Sequence, residues 1–80
     1  MTNVRELSAS FNDWEMRYIL ESLQREMERL KKINAESEDE DEAADAGNDF
    51  LELSGLFDSL AAKAVEVFGE QILDFSNALV

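Results

Sequence analysis

Apolar residues recur at helical spacing along two long stretches and one short one. Phe50, Leu53, Phe57, Leu60, Ala64, Phe68, Ile72, Phe75 and Leu79 follow one another at steps of three and four, which predicts a helix over residues 50–79. With Leu56, Val65 and Val67 added, the apolar arc covers about half the circumference, wider than a simple coiled-coil seam. The opposite arc carries Glu52, Ser59, Lys63, Glu66, Glu70, Asp74 and Asn77. A face that wide needs more cover than one short partner helix provides. The pattern also slips near Ala64, and Gly69 follows just beyond, so a bend is expected there.

The second long stretch spans residues 14–34. Met16, Leu20, Leu23, Met27 and Leu30 step by four, three, four and three in a segment free of proline and glycine. Glu21–Arg25 and Glu28–Lys32 sit at i, i+4 with the acid first, the favoured order. Arg29-Leu30-Lys31-Lys32 is read as the last turn, where cations suit the helix dipole.

Val4, Leu7, Phe11, Trp14 and Tyr18 form the third stripe, nearly opposite the Met16–Leu30 seam on a helical wheel. A break near Ser8–Asp13 resolves the conflict. Asn12 with Glu15 three residues on makes a capping box, leaving residues 1–13 as an arm or short helix. Residues 35–49, rich in Glu and Asp, read as a mobile acidic loop, with Asp49-x-x-Glu52 capping the helix that follows.

The resulting picture is all-α. It is a single small helical domain over residues 1–80, an antiparallel two-helix hairpin with an N-terminal arm or short helix. Dimerisation into a four-helix bundle would cover the wide face of the second helix, with Phe57, Leu60, Ala64, Phe68, Ile72 and Phe75 as the candidate dimer core.

Charge sharpens this picture. The formal net charge is −12, yet residues 14–34 are net +1, and from Ala35 onward Lys63 is the single cation. Such a C-terminal half suits a basic partner and disfavours phosphate ligands. Glu52, Glu66, Glu70 and Asp74 are the candidate acidic surface, with Glu66, Glu70 and Asp74 expected in line along one helical face. The basic positions Arg17, Arg25, Arg29 and Lys32 on a two-helix layout resemble the small dimeric RNA-binding hairpins of plasmid copy control. That likeness is architectural, and Glu21 and Glu28 interrupt the stripe, so direct nucleic-acid binding is not expected.

Candidate chemistry is sparse. The chain has no histidine and no cysteine, which removes the common transition-metal ligands and the usual neutral-pH acid–base group. Asp39-x-Asp41 opens like a calcium loop, but Ala43, Ala44 and Phe50 fall where a ligand, a glycine and the closing glutamate belong. No enzyme activity, cofactor or metal is expected, and with no long apolar run there is no expected membrane partner. The cytoplasm is the expected location. Large aromatics beside arginines match what interface hot spots contain, so Phe11, Trp14, Arg17, Tyr18 and Arg25 are the candidate partner-binding set. The function these features suggest is a non-catalytic acidic interaction module (regulator, inhibitor or assembly partner) that dimerises and binds another protein. The alternative is an acidic mimic of nucleic acid, of the kind phages encode, that blocks a DNA- or RNA-binding protein.

Overall fold

The computed structural model describes residues 5–75 of the chain. Expectations for Val4, Asn77 and Leu79 lie outside the described residues. Two α-helices form the hairpin, α1 over Asp13–Glu36 and α2 over Glu40–Phe68, and a 3-10 helix over Glu70–Leu73 follows. The described residues contain no strand.

α1 starts where the capping box predicts. The Asn12 side chain accepts from the Glu15 backbone N–H at 2.8 Å, and the Glu15 carboxylate accepts from the Asn12 N–H at 2.9 Å. Residues 5–12 form no regular structure and are exposed, so this part of the N-terminal segment is an arm rather than a helix. The inner seam turns inward as its spacing requires: Met16, Leu20 and Leu30 are buried, with Leu23 and Met27 half-buried between them. Glu21 and Arg25 pair at 2.8 Å, whereas the Glu28–Lys32 pair does not form and Arg29 instead engages Glu26. The helix continues to Glu36, so Arg29-Leu30-Lys31-Lys32 is interior and the last turn carries no cation.

The acidic run departs most from expectation. Residues 35–49 are not a mobile loop; only Ser37–Asp39 separate the helices, and α2 begins at Glu40 rather than residue 50. Asp39, not Asp49, is the N-cap, its carboxylate accepting from the backbone N–H groups of Asp41 and Glu42 at 3.0 and 3.2 Å. Glu40, Asp41 and Glu42 occupy the first turn, where the positive end of the helix dipole favours carboxylates. Alanines at 43, 44 and 46 supply strong helix propensity, and together these terms outweigh the repulsion among neighbouring acids.

A three-residue connection forces the helices antiparallel and adjacent. Near the turn they are tied by the Asn34 side-chain amide, which donates to the Ala43 carbonyl at 2.7 Å. Gly47 permits that approach, since a Cβ there would lie 2.7 Å from Asn34 Nδ2.

At its other end α2 stops at Phe68. Gly69 adopts φ 95° and ψ 168°, a conformation almost confined to glycine. The apolar stripe therefore crosses a helix end rather than a bend. Ile72, on the 3-10 helix, folds back and is 1% exposed. It joins Met16, Leu20, Ala61 and Ala64 in one cluster, with Phe57, Leu60, Val65, Phe68 and Phe75 packed around it.

Candidate functional site

The capping box fixes the start of α1 and thereby aims its first turns. Trp14 and Tyr18, four residues apart, stand on the same side of the helix. Their rings meet edge to face at 5.6 Å between centroids and 82° between planes. This is the favoured geometry for an aromatic pair. Both are more than half in water, at 63% and 61% exposure. Phe11, just before the cap, is also exposed, and Leu7 further along the arm is 92% exposed.

Arg25 follows on the same outer face, its guanidinium held by Glu21. One turn further, Arg29 makes two hydrogen bonds to the Glu26 carboxylate at 2.8 and 2.6 Å. The Arg29 hydrogen bond holds the Glu26 carboxyl below its ordinary pKa, and the same bond raises that of Arg29. These pairs neutralise the strip beyond the aromatics. Arg17 stands apart from this face: it is half-buried, with its Nε enclosed and without a hydrogen-bond partner. Of the five candidate binding residues, then, Trp14, Tyr18 and Arg25 share one surface, Phe11 precedes it, and Arg17 does not join it.

The candidate dimer core is placed within a single chain. Ala64 and Ile72 are buried, while Phe57, Leu60, Phe68 and Phe75 are half-buried against the same cluster. The candidate acidic surface is dispersed. Glu52 lies mid-way along α2, Glu66 near its end, Glu70 at the start of the 3-10 helix and Asp74 just after it. Because Gly69 ends α2, Glu66, Glu70 and Asp74 do not form the straight row that continuous helical spacing implies.

The first half of α2 carries a different acidic row. Asp41, Asp45, Asp49 and Glu52, at steps of four, four and three, are all exposed along one side of α2. The four-four-three spacing is visible in the sequence, but it marks a face only where residues 40–49 are helical. Two shallow grooves flank α2 near the turn. One, about 560 Å³, is lined by residues including Lys31, Asn34, Gly47, Phe50 and Leu51. The other, about 360 Å³, runs past Glu26, Leu30, Leu53 and Leu56 on the opposite edge. Among the described residues, no group of His, Cys, Asp or Glu is arranged to hold a metal ion. No described helix is long and apolar enough to cross a membrane.

Compared with protein-family models, curated proteins and solved structures, the chain matches none.

Proposed function

We propose that this protein is a non-catalytic interaction module, a small regulator, inhibitor or assembly partner in the cytoplasm. It acts as a homodimeric helical bundle and engages a further protein with a basic surface. One observation carries the reading: the core is too small for the apolar surface the helices display. Among the described residues only Met16, Leu20, Leu30, Ala46, Ala61, Ala64 and Ile72 are buried apolar positions, and three of these are alanines. Meanwhile Trp14, Tyr18, Leu51, Leu56 and Val67 stand more than half exposed on ordered helix. The outer sides of this one-layer hairpin stand uncovered. A second copy supplies the missing cover.

The test is unfolding at graded protein concentration. A dimer that folds as a unit has a midpoint that rises with concentration. An unchanging midpoint, with a single-chain mass throughout, would remove the proposal.

The acidic-mimic reading keeps second place because the Asp41–Asp45–Asp49–Glu52 row is held on a helix. One carboxylate recurs about every 5–6 Å, a rigid array of negative charge rather than a diffuse one. Neutralising these four to Asn and Gln should abolish capture of a basic nucleic-acid-binding partner. Undiminished capture, or capture indifferent to salt, would exclude mimicry.

A further inference from the structure

We infer that the dimer is built through the outer face of α1, with Trp14 and Tyr18 of one copy seated against the same pair of a second copy. This rests on the self-association proposed above and names its surface. Continuity is the first argument. Trp14 and Tyr18 touch on one side of α1, so its two large exposed aromatics form one patch, with exposed Phe11 just before the cap. On α2 the exposed groups are scattered. Leu56 and Val67 stand three turns apart with Glu52, Ser59 and Lys63 on the same side, and Leu51 points to another edge.

Charge is the second argument. Each copy carries −12, so self-association needs a face where carboxylate does not meet carboxylate. α2 presents the Asp41–Asp45–Asp49–Glu52 row, which two copies cannot share without repulsion. On the outer face of α1, Glu21 is paired with Arg25 and Glu26 with Arg29, and the whole helix, with six acids against five bases, is net −1, where α2, with eight against one, is net −7.

Area is the third. At their observed exposures Trp14 and Tyr18 offer on the order of 300 Å², more than a third of the ~800 Å² each partner gives to a standard interface. The aliphatic stems of Arg25 and Arg29, on the same outer face, extend the patch. Because one patch serves both copies, the contact is isologous and closes at two chains.

Trp14 is the sole tryptophan, so the intact protein carries its own reporter. Its fluorescence should be blue-shifted at high concentration and move red on dilution, with the midpoint at which sedimentation shows the mass halving. Tyr18→Lys should weaken dimerisation by ~10-fold or more, as a central interface aromatic does, with unchanged far-UV circular dichroism. Val67→Lys, on the other helix, should shift it by less than about twofold, as a position outside the contact does. Wild-type protein that dimerises while Trp14 emission ignores dilution would overturn the assignment and leave self-association standing. So would a folded Tyr18→Lys protein that dimerises as tightly as wild type. A wild-type chain that is monomeric at every concentration would overturn both.

Discussion

The two ends of the hairpin are held together by different physics. At the open end, Met16 and Leu20 of α1 meet Ala61 and Ala64 of α2, and Ile72 folds back over them among the half-buried rings and aliphatics of the same cluster. At the turn end only Leu30 and Ala46 are buried. There polar contacts join the helices, the Asn34–Ala43 link and the Ser37 hydroxyl, which donates to Glu42 at 2.7 Å, while Asp39 caps the start of α2. Acid gathers at the turn, and uncovered aromatics gather at the open end. Stability therefore depends mainly on one end of the molecule, which also carries the surface proposed for self-association, while the other end holds most of the acid.

The largest expected effect breaks the open end. Leu20 is fully buried, so Leu20→Ala should cost about 3–5 kcal/mol by the usual transfer and cavity terms, whereas Leu30→Ala should cost about 2–3. Denaturant unfolding of the two variants compares the ends directly; equal losses would mean that the core is spread evenly along the hairpin. Next comes the hinge that returns Ile72. Gly69→Ala places a Cβ 2.5 Å from Gln71 Oε1 at a φ of 95°, and a residue forced into that region costs about 1–3 kcal/mol. The 3-10 helix should detach before α1 and α2 separate, visible as early amide exchange at Ile72.

A smaller effect tests the turn end. Gly47→Ala gains about 1 kcal/mol of helix propensity but displaces Asn34, whose hydrogen bond is worth a similar ~0.5–1.5 kcal/mol. In the wild-type background the substitution should be nearly neutral, and in an Asn34→Ala background stabilising by about 1 kcal/mol. Additive values in the double-mutant cycle would deny the contact.

The smallest effect is an acid dependence on the exposed face of α1. The Glu26 carboxyl is depressed in the folded chain, so whatever the Arg29 bond contributes is present above the ordinary carboxylate pKa and lost as pH falls through the folded value. Glu26→Gln should match wild type in acid and fall only slightly below it at neutral pH. A difference that grows in acid would reverse the sign.

How far the sequence discloses this molecule differs by region for physical reasons. The Met16–Leu30 seam is legible because its four-three spacing admits one solution, and Asn12 with Glu15 marks where it begins. The start of α2 is not legible from charge, because Glu38–Glu42 look like a self-repelling loop until Asp39 caps them and the dipole absorbs them. Gly69 stands out as a fault in the apolar pattern, yet the pattern cannot distinguish a bend from an ending. Phe68, Ile72 and Phe75 keep helical steps across a chain that has left the helix, because a 3-10 turn still returns Ile72 to the same core. The aromatics are the hardest to place. Leu7, Phe11, Trp14 and Tyr18 are spaced as well as any buried seam, and only the packing of Met16 and Leu20 against α2 settles that Trp14 and Tyr18 face outward.

Sedimentation equilibrium of the intact chain at low and high salt bears most directly on the claim that one hairpin leaves its apolar surface uncovered. Two copies repel through −12 each, so the predicted result is a species of twice 9.1 kDa whose dissociation constant falls as salt screens that repulsion. A species of 9.1 kDa at every concentration and in either salt would contradict it.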